Sequence, residues 1–112
     1  MKLITAIIQP SILSDVKQAL FDAGLGKMTV YNVSGSSQVT HFPDIHHAND
    51  YEPNLIGKVK LELAVNDESV KQVIDIVAKH AKTGTIGGGK IFVLDIEQCI
   101  RIRTGEEGPA AL

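Results

Sequence analysis

The chain has 112 residues, a formal charge of −2 at pH 7 and 44% hydrophobic residues. That length suits one domain, and with three Phe, two Tyr and no Trp its core must be built from Ile, Val and Leu. The charge balance argues against a nucleic-acid binder working by bulk electrostatics, and no apolar run approaches the length of a membrane span. Met1-Lys2-Leu3 leads directly into a strand pattern rather than a signal peptide. The single cysteine, Cys99, can form no internal disulfide, which points to a reducing, cytoplasmic setting.

Leu3 to Ile8 is apolar on both faces, as in a central strand. Pro10-Ser11 ends it, and Ser11 is a candidate cap for a helix in which Ile12, Val16, Ala19, Leu20 and Ala23 recur at helical spacing. Gly24 supplies the stop. Met28 to Val33 reads as a second strand. The stretch 34–55 follows, rich in Ser, His, Asp, Asn and Pro and without a sustained period. A hairpin connection needs only two to five residues, so roughly twenty marks this stretch as a flexible recognition arm or as plain disorder.

Lys58 to Leu63 alternates, with Val59, Leu61 and Leu63 inward and Lys58, Lys60 and Glu62 on the other face. Asn66 is placed to cap a second helix whose stripe is Val70, Val73, Ile74, Val77 and Ala81, with Lys79, His80 and Lys82 suiting the dipole of its last turn. A glycine-rich loop leads into a strand over Lys90–Ile96, and a short added strand over Cys99–Arg103 completes the chain. The order βαββαβ implies a single ferredoxin-like α+β sandwich over residues 1–112, with two helices on one face of an antiparallel sheet. The uncovered face, expected to carry Lys58, Lys60, Arg101 and Arg103 beside apolar neighbours, calls for a partner subunit.

The chemistry concentrates near the end. Gly84-Thr85-Ile86-Gly87-Gly88-Gly89-Lys90 frees several backbone amides for an anion, and Arg101 and Arg103 would share one face of the added strand. The run fits G-x-x-x-x-G-K, yet Ile91 stands where a P-loop needs Ser or Thr, and a strand follows where a helix should. It is no Walker A loop. Alone it would read as a helix-to-strand turn; with the two arginines it reads as a polyphosphate cradle.

Ile7-Ile8 with Pro10, Met28-Thr29-Val30, Lys58-Val59-Lys60, Thr83-Gly84, Ile86-Gly87, Gly89 to Val93 and Ile100 to Glu106 together resemble the PII signal-transduction family over the whole chain. The resemblance implies a homotrimer with adenine nucleotide (ADP, ATP or AMP) in the clefts between subunits. It assigns Gly87, Gly88, Gly89 and Lys90 to a phosphate loop, and Arg101 and Arg103 to phosphate contacts across the interface. Ile7, Thr29, Gly35, Glu62 and Ala64 fall around adenine and ribose, with Ser37, Gln38 and Lys58 at the base of the arm. The arm is the family's T-loop, which docks on a target protein such as a membrane transporter or channel.

Departures from the family pattern cluster at that base. Val39 replaces a glutamine that helps bind magnesium and 2-oxoglutarate, and Gln38 replaces an arginine that touches the ATP γ-phosphate. Ser36 and Ser37 replace an aromatic and a glycine, Gln9 replaces a lysine, and Thr85 and Gly88 alter the glycine loop. The usual 2-oxoglutarate response is therefore not expected, while Mg2+ beside the nucleotide and bicarbonate beside Lys58 remain candidate ligands. Tyr51 coincides with a tyrosine that some members have uridylylated, in unfamiliar surroundings. His41, Asp44, His46 and His47 are metal-ligand types at no named spacing.

No paired carboxylates and no nucleophile beside a general base stand near the glycine loop, so the reading is a non-enzymatic regulator. The competing readings are a slow ATPase using the same cleft and a metal-binding trimer of the ferredoxin-like copper-tolerance type.

Overall fold

A computed structural model describes residues 1–36, 55–82 and 89–112. Its elements in chain order are β1 (Lys2–Ile8), α1 (Leu13–Asp22), β2 (Thr29–Ser36), β3 (Leu55–Val65), α2 (Val70–Ala81) and β4 (Lys90–Asp95). The strands form one antiparallel sheet in the order β2-β3-β1-β4. β1 therefore pairs on both edges, which is why its sequence is apolar at consecutive positions.

Period two decides which side of the sheet is buried. Ile4, Ala6 and Ile8 of β1 and Val59, Leu61, Leu63 and Val65 of β3 point to one side. There they meet Val16 and Leu20 of α1 and Val73, Val77 and Ala81 of α2, forming one contiguous aliphatic core. Burying each of the larger side chains stabilises the fold by about 1.5–3 kcal/mol before entropy is counted.

Helix α1 stops where Gly24 takes a left-handed φ of 76°. The Leu25 amide donates to the Leu20 carbonyl at 2.8 Å and the Gly24 amide to the Phe21 carbonyl at 3.0 Å, the two bonds of a Schellman ending. Ser11 does not cap this helix. Pro10–Ile12 instead form a 3-10 turn whose start, Gln9, makes no side-chain capping bond. Proline favours that first turn because its missing amide costs nothing there. Asn66 does occupy the N-cap position ahead of the turn Asp67–Ser69 and α2, but its side chain makes no capping bond either.

Two strands extend beyond their sequence patterns. β2 continues through Ser34 and Gly35 to Ser36, and β3 already begins at Leu55, because Ser36 pairs with Leu55. The rest of the arm, 37–54, lies outside the described residues.

The added C-terminal strand does not form. Among the described residues the segment beyond β4 contributes only one bridge, Ile100 with Glu107. Gly105 at φ 74° closes a tight turn, with the Gly105 amide bonded to the Arg101 carbonyl and the Arg101 amide to the Glu106 carbonyl, each at 2.8 Å. A left-handed glycine flanked by Thr104 and Glu106 outweighs a four-residue apolar alternation. Arg101 and Arg103 consequently do not share a strand face and are not on the sheet.

At the Met1 end, Lys2 pairs across the strands with Asp95, and that contact raises the Lys2 pKa. The Met1 ammonium donates to Asp67 at 2.8 Å, and this bond holds the Asp67 carboxyl below its ordinary value. A depressed carboxyl stabilises the fold above the unfolded value, about 4, and loses that contribution as pH falls through the folded one. Asp67→Asn should therefore flatten the fall of the urea midpoint as pH drops below about 4. An unchanged acid limb would show that the pair is not formed.

Candidate functional site

The side of the sheet away from the helices carries most of the residues singled out in the sequence. Strand register places Tyr31, Lys60, Ile7 and Lys90 in one row across the four strands. The neighbouring row is Thr29, Glu62, Thr5 and Phe92, and Ala64 lies beyond it opposite Leu3. Gly35 and Lys58 share the same parity, and a Cβ on Gly35 would stand 3.4 Å from Cγ of Lys58. Thus Ile7, Thr29, Gly35, Lys58, Glu62, Ala64 and Lys90 share one face.

Their local chemistry is a mixture of charge and exposed apolar surface. Lys60 Nζ lies 3.2 Å from Glu62 Oε1, with both side chains partly buried, and 5.0 Å from the centre of the Tyr31 ring. A lysine held between a carboxylate and an aromatic face is fixed in direction at modest energetic gain. Around this pair Phe92 and Leu94 are each 50% exposed and Ile56 is 51% exposed. This face is amphipathic and uncovered in a single chain. The expectation that Arg101 and Arg103 lie on it is corrected: the cations at this face are Lys58, Lys60 and Lys90.

Lys90 is positioned by the glycine before it. Gly89 has a φ of 112° and passes so close to β1 that a Cβ would stand 2.1 Å from the Ile7 carbonyl oxygen. Only a residue without a side chain fits there. The glycine loop's exit is thereby tied to the same Ile7 whose side chain faces the open side. Gly87 and Gly88, together with Ser37 and Gln38, lie outside the described residues, as do Val39, His41, Asp44, His46, His47 and Tyr51.

The arginines belong to the other end of the sheet. Lys90 pairs with Ile7, whereas Lys2 pairs with Asp95, and the Ile96 amide bonds to the Met1 carbonyl. At about 3.3 Å per residue the two ends of β4 are roughly 17 Å apart. The chain leaves from the Met1 end into the turn that holds Arg101 and Arg103, and Ile102 between them is wholly exposed. Arg101 is engaged there: Nη1 donates to Glu106 Oε1 at 3.1 Å and Nη2 to the Ala110 carbonyl at 3.1 Å. Arg103 is exposed. The structure thus gathers seven of the proposed residues on one face and leaves the two arginines away from it.

Sequence reasoning missed Glu106 as the partner of Arg101; the signal was a carboxylate five residues on, across Thr104-Gly105. It also left Tyr31 and Lys60 out of the site, although their strand parity was legible. A cavity of about 290 Å³ lined by Met1, Glu97, Gln98, Cys99, Ile100, Glu107 and Gly108 lies at the Met1 end and includes none of the proposed residues. Among the described residues no three His, Cys, Asp or Glu side chains gather as a metal-ligand set, and no helix is long and apolar enough to cross a membrane.

Two helices on one face of a four-stranded antiparallel sheet in this order define a ferredoxin-like α+β domain. The family described as nitrogen regulatory protein P-II matches residues 1–106. The nitrogen regulatory protein GlnK of Escherichia coli K12 is 45% identical over 112 residues, covering all of both chains. A nitrogen regulatory protein P-II of Porphyra purpurea is 46% identical, again over the full length of both. P-II 2 of Methanothermobacter thermautotrophicus is 44% identical over all of this chain and 97% of the relative. The chain belongs to the PII family of nitrogen regulatory signalling proteins.

Proposed function

We propose that the protein is a non-enzymatic, trimeric regulator that binds adenine nucleotide between subunits and signals to a target protein through the arm at 34–55. Membership of a family of regulators supports the signalling role, and the names of the relatives favour nitrogen status as the signal. The observation that carries the nucleotide reading is the gathering of Ile7, Thr29, Glu62 and Ala64 on one uncovered face, with Lys90 fixed at its rim by Gly89.

A phosphate cradle made of Lys90, Arg101 and Arg103 requires two chains in this reading. Lys90 and the arginine turn leave opposite ends of β4, so one subunit supplies the glycine loop and its neighbour supplies the arginines. Assembly also explains the half-exposed Phe92, Leu94 and Ile56 and the bare Ile102, which burial against a second copy would remove from water. The same reading extends to Mg2+ beside the phosphates and to a small anion such as bicarbonate near Lys58 as further ligands to be tested.

The test is affinity for ADP. Arg103→Ala or Lys90→Ala should each weaken binding about ten- to a hundredfold, the equivalent of roughly 1.5–3 kcal/mol for one charge-assisted phosphate contact. Co-refolding the two variants in equal amounts should then restore wild-type affinity in about a quarter of the sites of a cyclic trimer, since each site draws one residue from each neighbour. Undiminished affinity in Arg103→Ala would sink the assignment. Weakened variants with no recovery on mixing would place both residues on one chain.

A further inference from the structure

We propose that Glu106 is a built-in competitor for the Arg101 guanidinium, so that an incoming phosphate exchanges with it and loosens the C-terminal segment 106–112. The inference rests on the nucleotide reading above and adds a device to it.

Arg101 spends three of its five N–H groups on acceptors of its own chain. Nη1 donates to Glu106 Oε1 at 3.1 Å, and Nη2 reaches the backbone oxygens of Ala110 at 3.1 Å and Leu112 at 3.4 Å. The carboxylate is itself aimed. Thr104 Oγ1 donates to the same Glu106 Oε1 at 2.9 Å and accepts the Glu106 amide at 3.2 Å. Gly105 and Gly108, both at φ 74°, fold the segment back, and the Gly108 amide bonds to the Cys99 carbonyl at 2.9 Å. One guanidinium thus pins three points of the last seven residues.

A carboxylate and a phosphate are alternative anions for the same donor fork. While Glu106 holds Nη1, the charge of Arg101 is neutralised within its own chain, and a phosphate gains less from it. Arg103, two residues on, has no such set of acceptors among the described residues and is exposed. The two arginines therefore differ: Arg103 is ready for an anion, and Arg101 must be exchanged. Turning the guanidinium from Glu106 toward a phosphate strains the Nη2 bonds to Ala110 and Leu112, which makes the order of the C-terminal segment a readout of site occupancy.

The ion pair is partly exposed, so its competition is worth a small factor rather than a large one. Glu106→Gln keeps the shape and removes the charge. By calorimetry it should bind ADP about two- to fivefold more tightly than the wild type, with an unchanged circular dichroism spectrum. In the wild type, ADP should speed hydrogen exchange at amides in 106–112. Equal or weaker binding by Glu106→Gln, or exchange over 106–112 that is unchanged or slowed by ADP, overturns the proposal. The exchange result stands without any variant. A wild-type protein that binds no ADP overturns the nucleotide reading itself and takes the latch with it.

Discussion

Gly89→Ala should destabilise the domain by about 2–4 kcal/mol in urea unfolding, a large part of the 5–15 kcal/mol that holds such a domain together. Two physical terms add. A φ of 112° is a region that residues with a Cβ hardly occupy, and the new methyl carbon would stand 2.1 Å from the Ile7 carbonyl oxygen. An ordinary carbon–oxygen contact is more than 1 Å longer, so the start of β4 would have to move away from β1. Neither side yields easily, because β1 is the strand paired on both edges and Ile7 stands in register between Lys60 and Lys90. The same movement would displace Lys90, so ADP affinity should fall together with stability. Gly57→Ala is the matched control: it lies in β3, nothing stands within 4 Å of its Cβ, and it should be neutral or slightly stabilising. If Gly89→Ala unfolds at the wild-type midpoint, β4 does not enter the sheet by this close approach.

Titrating 2-oxoglutarate into protein saturated with Mg-ATP should give no tight, magnesium-dependent binding. Within the proposed nucleotide site, a magnesium ion that bridges nucleotide and a keto acid needs an oxygen ligand at the base of the arm. Val39 offers only methyl groups there. Water as the replacement ligand would arrive without the preorganisation of a side-chain carbonyl. Gln38 adds a second loss, since an amide cannot supply the charged fork that an extra phosphate calls for. ADP should accordingly bind at least as well as ATP. The titration is decisive in one direction: tight binding that vanishes with EDTA would show that another residue supplies the missing ligand.

Most of the fold was legible because periodicity is a local property. The four-residue spacing of Val16 with Leu20, and of Val73 with Val77 and Ala81, set the buried helix stripes. The alternation of Val59, Leu61 and Leu63 fixed the buried side of β3, and with it the face on which Lys58, Lys60 and Glu62 stand. The consecutive apolar residues of β1 marked a strand with neighbours on both edges. Even the helix stop at Gly24 followed from residue type.

Tertiary structure decided what depends on partners distant in sequence. The row Tyr31, Lys60, Ile7 and Lys90 exists only once three strand pairings are in register. The sequence marks Gly89 as one glycine among several in its loop, and the approach of β1 leaves it no room for a side chain. The arginines show the difference most clearly. Their spacing in an apolar run reads as a strand, but strand pairing needs a distant partner brought into register, whereas Gly105, Thr104 and Glu106 close a turn from local bonds alone. Periodicity determined the βαββαβ order, and the motif strings from Ile7 to Glu106 carried the family resemblance; long-range pairing decided the shared face, and a local turn decided where Arg101 spends its charge.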